Sequence, residues 1–133
     1  MKPVLADTSY YVALLSDADE NHSIAIEWST NLLGRVVVTE YILVELASML
    51  SGSQDRKLVA SFIKQLLADE TTVFVPASRS LFDQGLELFA SRPDKRWSLV
   101  DCISFAVMKK RRLTDALTAD HHFQQAGFRA LLL

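Results

Sequence analysis

Short apolar runs alternate with longer stretches of helical periodicity along this chain. Residues 4–6 are apolar and end at an Asp-Thr-Ser sequence, which is typical of a buried strand followed by a helix start. Residues 35–39 are mostly β-branched and predict a second buried strand, and residues 72–75 predict a third. Residues 116–118 predict a fourth short strand, and residues 129–133 are a candidate fifth.

Between these strands the apolar positions recur at the spacing of amphipathic helices. The predicted helices cover residues 9–17, 22–33, 40–52, 54–69, 79–91 and 98–111. Strands that alternate with helices favour an α/β fold with a mainly parallel central sheet of four to five strands flanked by helices. The 133 residues contain no repeat, low-complexity tract or linker, so we expect one domain over residues 1–133.

Composition narrows the class of protein further. Half of the residues are hydrophobic and 23% are charged, which excludes an intrinsically disordered chain. The single cysteine, Cys102, excludes an intramolecular disulfide framework and a cysteine-rich zinc site. No apolar run approaches the roughly 18 residues of a membrane helix, and Asp7 interrupts the N-terminal run before a signal-peptide core forms. We therefore expect a soluble cytoplasmic protein that does not use a membrane.

Four acidic residues fall at positions that a parallel sheet brings to one edge. Asp7 ends the first predicted strand, and Asp120 lies just past the fourth. Glu45 lies in the helix after the second strand, and Asp101 lies in the first turn of the helix before the fourth. Since strand ends and the helices that begin there face the same edge, we expect these carboxylates to share a cleft. Such a cluster needs a cation or raised pKa values, and hard oxygen ligands select Mg²⁺ or Mn²⁺.

Each of these acids also has a structural interpretation. Asp7 is a candidate helix cap, and Asp101 follows Ser98 at the spacing of a capping box. Asp120 is a candidate turn residue. Glu45 lies in an apolar stretch, where an unpaired acid would be costly to bury, so a purely structural role explains it least well.

Other chemistries have weaker support in the sequence. The four glycines are scattered singly, so there is no glycine-rich phosphate loop. His121 and His122 are adjacent, and we expect them to point in different directions and to form a polar turn or helix start rather than a metal site. Cys102 is predicted to be a packed core thiol. Four aromatic residues are predicted to pack in the core: Trp28, Trp97, Tyr10 and Tyr11. The alternative for Tyr10, Tyr11 and Trp97 is stacking at a nucleic-acid cleft.

The net charge of −2 argues against a protein that coats nucleic acid. Residues 92–112 are an exception, because this segment contains seven basic residues and only two acidic ones, Asp94 and Asp101. They indicate either a local basic face or a solvated helix end that complements the helix dipole.

Several segments, in order along the chain, resemble one family. They are residues 6–9 (ADTS) with 13–15 (ALL), residues 44–46 (VEL), residues 97–105 (WSLVDCISF), residues 114–123 (TDALTADHHF) and residues 126–128 (AGF). This ordered set resembles the PIN-domain ribonucleases, and among them the VapC-type toxins of bacterial and archaeal toxin–antitoxin pairs. The likeness spans nearly the whole chain.

The resemblance implies a Mg²⁺- or Mn²⁺-dependent endoribonuclease that cleaves RNA such as tRNA or ribosomal RNA. It also implies a homodimer and an antitoxin partner that covers the cleft. The implied catalytic and metal-binding acids are Asp7, Glu45, Asp101 and Asp120, and the implied hydroxyls that orient them are Thr8, Ser9, Ser98 and Thr118. Basic residues beside the cleft are then candidate contacts to RNA phosphates: Arg92, Lys95, Arg96, Lys109 and Lys110.

Two other functions remain as alternatives at this point. A non-enzymatic PIN-fold module for binding or regulation would fit the same fold, although the intact set of four acids favours an enzyme. An aspartate-phosphorylated receiver domain would also place an acid after the first strand. Asp7 lacks the neighbouring acids that such a domain needs.

Overall fold

A five-stranded, fully parallel sheet forms the centre of the molecule in the computed structural model, which describes residues 2–52 and 54–133. Met1 and Ser53 of the predicted domain lie outside the described residues. The strands are β1 (Val4–Ala6), β2 (Val36–Thr39), β3 (Thr72–Val75), β4 (Asp115–Leu117) and β5 (Arg129–Ala130). The prediction of a mainly parallel sheet is confirmed.

The described residues also form seven helices. They are α1 (Thr8–Leu15), α2 (His22–Asn31), α3 (Glu40–Met49), α4 (Arg56–Ala68), α5 (Arg79–Ser91), α6 (Leu99–Lys110) and α7 (His121–Gln125). Right-handed crossovers between parallel strands place helices on both faces of such a sheet. The described helices accordingly pack in two groups, α1 to α4 in one and α5 to α7 in the other.

The order of strands decides where a site can form. The sheet runs β3-β2-β1-β4-β5, with Leu5 of β1 level with Val37 of β2 on one side and with Ala116 of β4 on the other. The chain therefore moves outward from β1 in one direction through β2 and β3, and in the other through β4 and β5. A crevice opens at the carboxyl ends of β1 and β4, where the direction reverses.

Burial on both faces explains the apolar strands. Val4, Leu5 and Ala6 are all buried, as are Val37 and Val38 of the neighbouring strand. Such continuous apolar runs are typical of parallel strands covered by helices on both sides. Cys102 is fully buried in the same core, as predicted.

Several predicted boundaries differ from the structure. The helix expected at 40–52 ends at Met49, and the fifth strand, expected at 129–133, is only Arg129–Ala130. The helix start expected at His121 and His122 is confirmed, because α7 begins at His121. Within the described parts of the chain, no helix combines the length and the apolar character that a bilayer crossing requires.

Candidate active site

Asp7 lies at the carboxyl end of β1 and turns its side chain into the crevice. Its backbone N–H donates to the carbonyl of Leu117 at 3.0 Å, which continues the β1–β4 pairing past the end of β1. Asp7 occupies the N-cap position of α1, as the helix-cap interpretation expects, but its side chain makes no capping hydrogen bond there. Instead, Asp7 Oδ2 accepts hydrogen bonds from Thr118 Oγ1 at 2.8 Å and from Ser9 Oγ at 3.0 Å.

Burial makes the charge of Asp7 costly. The residue is only 5% exposed, and removal from water raises the pKa of its carboxyl group to about 6. The hydroxyls of Thr118 and Ser9 oppose this shift, whereas the negative charge of Asp101 adds to it. Asp7 and Asp101 therefore face each other closely enough to repel.

Asp101 is held at the start of α6 by a capping box. Its N–H donates to Ser98 Oγ at 3.0 Å, and its Oδ2 accepts from the N–H of Ser98 at 3.1 Å. The predicted capping box is thus present, and it fixes the carboxylate toward the crevice rather than toward solvent. Burial, followed by the charge of Asp120, raises the pKa of Asp101.

Asp120 occupies the N-cap of α7, directly after β4. Its Oδ1 accepts from the N–H of His122 at 2.9 Å, and its own N–H donates to Thr118 Oγ1 at 3.0 Å. The predicted turn role is therefore real, and it engages only one of the two carboxylate oxygens. Thr118 touches both Asp7 and Asp120, so a single buried hydroxyl links the two strand-end acids.

Glu45 reaches the same crevice from α3. Its carboxylate is half-buried, and Oε1 accepts a hydrogen bond from Thr8 Oγ1 at 2.5 Å. Thr8 is the first residue of α1 and is itself buried, next to Asp7 in the chain. The acid expected to be costly in an apolar helix thus has a hydroxyl partner at the edge of the cluster.

One pattern is common to the four acids. The donors described above all end on a single oxygen of each carboxylate: Oδ2 of Asp7, Oε1 of Glu45, Oδ2 of Asp101 and Oδ1 of Asp120. Among residues 2–52 and 54–133, no hydrogen bond reaches the second oxygen of any of these four acids. Carboxylates held on one side and free on the other form a donor set that fits a hard divalent cation.

Comparison with known proteins identifies the family of this chain. A model of the PIN domain family matches residues 4–129. The chain belongs to the PIN domain family. Over 126 residues it is 29% identical to a 23S rRNA-specific endonuclease, VapC20 of Mycobacterium tuberculosis, covering 94% of this chain and 95% of that protein, in each of two strains. This PIN domain also superposes on a crystal structure of VapC20, described as a Sarcin-Ricin loop cleaving toxin, with a TM-score of 0.86. Sequence identity there is 24%, over 94% of this chain and 95% of the other.

The basic residues do not gather at one point of this PIN domain. Arg92, Lys95 and Arg96 lie in the segment between α5 and α6, which leads directly into Ser98 at the crevice. Lys109 and Lys110 form the last turn of α6, roughly 12 Å along the helix axis from Asp101 at 1.5 Å per residue. Arg92 lines one groove with Lys109 and Lys110, so only Lys95 and Arg96 are separated from the end of α6.

Arg92 is already engaged within the domain. Its guanidinium donates to both oxygens of Asp94, at 2.9 and 2.8 Å, and lies over the ring of Trp97 at 5.1 Å. The paired charge and the ring hold this segment in one conformation. Among the described residues, no carboxylate forms an ion pair with Lys95 or Arg96, which leaves these two charges available to a ligand.

The expectation that His121 and His122 point apart is wrong. Their ring centroids lie 4.6 Å apart, and one ligand atom each from Asp120, His121 and His122 falls within 4.8 Å of the others. Side chains in a helix tilt toward its N-terminus, and here the N-cap is an acid, so both rings fold back toward Asp120. The signal in the sequence was an N-cap acid followed within two residues by histidine.

Tyr10, Tyr11 and Trp97 are buried in the core and Trp28 packs against it, as predicted. Tyr10, Tyr11 and Trp97 are 4%, 2% and 7% exposed, so they present no open ring face on which a base could stack. The stacking alternative is therefore wrong. Trp97 serves the crevice indirectly, because its Nε1 donates to Gln125 Oε1 at 3.0 Å and joins the segment before α6 to α7.

Proposed function

We propose that this PIN domain is a metal-dependent endoribonuclease and the toxin component of a VapBC-type toxin–antitoxin pair. The observation that carries the proposal is a chain of contacts between the acids: Thr118 bonds to Asp7 and Asp120, His122 lies beside Asp101 and Asp120, and Thr8, next to Asp7 in the chain, bonds to Glu45. A cluster of negative charge that is partly buried is unfavourable without a cation. The folded protein nevertheless holds these acids near one another, which supports a metal-binding role.

Mg²⁺ or Mn²⁺ is the ion that the donor set favours. Asp7 and Asp101, the most buried of the four acids, would bind it directly, with Glu45 and Asp120 completing the site in part through water. A bound ion of this kind supplies an activated water and neutralises developing charge on phosphate oxygens.

The hydroxyl residues of the chain would orient the acids around that ion. Thr8, Ser9 and Thr118 hold the carboxylates by hydrogen bonds, and Ser98 fixes Asp101 through the capping box.

We infer that the substrate is a structured RNA, with ribosomal RNA favoured over tRNA. VapC20, which resembles this chain over nearly its whole length, is named as an endonuclease specific for 23S rRNA. Lys95 and Arg96, at the acidic edge, would position phosphates of the RNA beside the metal. Lys109 and Lys110 would contact a longer substrate that continues along α6.

The same proposal includes three further points: an antitoxin partner covers the crevice, the protein is a homodimer, and it acts in the cytoplasm.

The candidate dimer surface lies on α4. Part of its apolar stripe remains on the surface, because Leu58 and Leu67 are 52% and 50% exposed whereas Val59 is buried in the core. This exposed part of α4 is our candidate dimer surface. Light scattering of the purified protein at high concentration is expected to give twice the mass of the chain, and a monomer would exclude the dimer.

The activity is tested by comparing wild type with Asp7→Asn and Asp101→Asn on purified ribosomal RNA. Each asparagine keeps the shape of the side chain but loses the charge that holds the ion, so we expect at least about a 100-fold loss of Mn²⁺- or Mg²⁺-dependent cleavage. Asp115→Asn is the matched control, because Asp115 opens β4 at the opposite edge of the sheet and is expected to leave cleavage intact. Wild-type cleavage in excess chelator would contradict the metal mechanism. Folded wild type that binds the RNA without cutting it would favour the binding-module alternative.

A further inference from the structure

His122 stands between two acids of the cluster that come from different helices. Its Nδ1 lies 3.2 Å from Oδ2 of Asp101 and 3.3 Å from Oδ1 of Asp120. The imidazole side chain is 19% exposed, so it is largely enclosed by the crevice. Asp101 opens α6 and Asp120 caps α7, and the ring nitrogen of His122 bridges these two helices at the site.

The chemistry of the partners fixes what this nitrogen does. An ionised carboxylate only accepts hydrogen bonds, so Nδ1 facing two carboxylate oxygens carries the hydrogen and donates it. A neutral imidazole then leaves Nε2 as its acceptor. The hydrogen bond goes to Asp101, and Asp120 Oδ1 lies at 3.3 Å from the same nitrogen, so a planar, rigid ring is in contact with both acids.

The oxygens that His122 contacts are the ones already engaged elsewhere. Oδ2 of Asp101 also accepts from the N–H of Ser98, and Oδ1 of Asp120 also accepts from the N–H of His122 itself. The imidazole therefore acts on the held side of each carboxylate, opposite to the oxygens left free. This arrangement is that of a group supporting metal ligands rather than of a ligand.

We propose that His122 is a positioning residue, whose Nδ1–H donates a hydrogen bond to Asp101 and lies against Asp120, so that both acids direct their other oxygens at one divalent ion. The inference rests on the proposed metal-dependent function and assigns a role to a residue outside the four acids. His121 has no such role, because its ring is 66% exposed and its Nδ1 is 3.7 Å from Asp120 Oδ1.

The test is Mn²⁺ binding to the RNA-free protein, measured by the EPR signal of free Mn²⁺, for wild type, His122→Ala, His122→Asn and the control His121→Asn. Loss of a supporting hydrogen bond typically weakens metal affinity about 10- to 100-fold, and we expect that loss for His122→Ala. Asparagine places an amide N–H near the position of Nδ1, so His122→Asn is expected to restore most of the affinity. His121→Asn is expected to bind like wild type.

Kinetics on ribosomal RNA give a second readout. At subsaturating Mn²⁺, His122→Ala is expected to lower kcat while the KM for RNA stays unchanged, because the imidazole contacts the acids and not the substrate. His122→Asn is expected to recover kcat. Circular dichroism melting establishes that each variant is folded, and the asparagine variant carries the test if the alanine variant does not fold.

Three results would overturn the assignment. Wild-type Mn²⁺ affinity and kcat in His122→Ala would show that the bridging hydrogen bond is dispensable. An equal loss in His122→Asn would show that the donor is not what matters. Nitrogen-14 modulation in the pulsed EPR spectrum of bound Mn²⁺, present in wild type and absent in His122→Ala, would make His122 a ligand instead. Failure of wild type itself to bind Mn²⁺ or Mg²⁺ would instead refute the proposed function, and the role of His122 with it.

Discussion

Ionisation of the buried Asp7 side chain is unfavourable to the stability of the metal-free fold. Burial raises its pKa to about 6 from the usual 3.8, so the folded protein holds this proton more tightly than the unfolded chain does. The contribution to stability is therefore unfavourable where the group is ionised. In metal-free protein the free energy of unfolding falls, on account of Asp7, as pH rises from about 4 to about 6, and the penalty is complete above that.

We expect Asp7→Asn to remove this penalty. In chelator, the gain in unfolding free energy over wild type should grow by about 2 kcal/mol between about pH 4 and pH 8, since each pKa unit corresponds to about 1.4 kcal/mol. Urea denaturation at the two pH values measures it. Saturating Mn²⁺ should reverse the order at the higher pH, because the ion stabilises wild type by binding to its folded state. A pH-independent difference between the two proteins would contradict this account of Asp7.

At the scale of elements, the packing of α5 against α6 sets the position of Asp101. Gly85 of α5 is buried against α6, and a Cβ added there would lie 2.3 Å from Cγ1 of Ile103 and 3.2 Å from its Cα. Ile103 is two residues from Asp101 and only 1% exposed, so it has little space to move. The absence of a side chain at position 85 therefore lets α6 approach closely enough to deliver its acid to the crevice.

Gly85→Ala should destabilise the protein by about 1–3 kcal/mol through overpacking, although alanine favours helix by about 1 kcal/mol. Chemical denaturation gives the value. Gly52→Ala is the control, since the nearest atom to its added Cβ is Asp55 Oδ2 at 3.7 Å, and we expect little change there. Combining Gly85→Ala with Ile103→Ala should cost less than the sum of the two single changes. A Gly85→Ala protein as stable as wild type would show that the two helices have room to separate.

At the scale of the whole molecule, the parallel strands place the acids at one edge of the sheet and Lys109 and Lys110 near the other. Asp7 and Asp120 follow the carboxyl ends of β1 and β4, and the segment that holds Lys95 and Arg96 leads into Ser98 beside Asp101. Lys109 and Lys110 end α6 near the opposite edge, where β4 begins. An RNA that binds both groups must therefore lie along α6 rather than only across the crevice.

Charge reversal tests that path, in an Asp101→Asn background that prevents cleavage. Lys95→Glu with Arg96→Glu, and separately Lys109→Glu with Lys110→Glu, should each weaken RNA binding and reduce the salt slope by about 0.7 for each phosphate that the variant no longer neutralises. Fluorescence anisotropy over a series of salt concentrations measures both quantities. Lys57→Glu with Lys64→Glu on α4 is the matched control for net charge. Unchanged affinity and slope for the Lys109 and Lys110 pair would make that turn a solvated helix end.

The sequence by itself determined the α/β class and the positions of the acids, because both are local properties. A short apolar run followed by Asp7 specifies a buried strand and an acid at its end, wherever the strand lies in the sheet. The spacing of Ser98 and Asp101 likewise specified the capping box. The parallel direction of the strands then predicted one shared edge, whereas the assignment of all four acids to a single site also depended on the family resemblance.

Only the tertiary structure decided which atoms meet there. His122 lies 21 residues from Asp101 in the chain, and the 3.2 Å approach between them depends on how α6 and α7 pack. Local periodicity carries no information on that packing. The same holds for Thr8 with Glu45 and for the separation of Lys109 from the crevice. Side-chain contacts between distant elements are set by the strand order and by close approaches such as Gly85 to Ile103, and these are fixed only when the whole core packs.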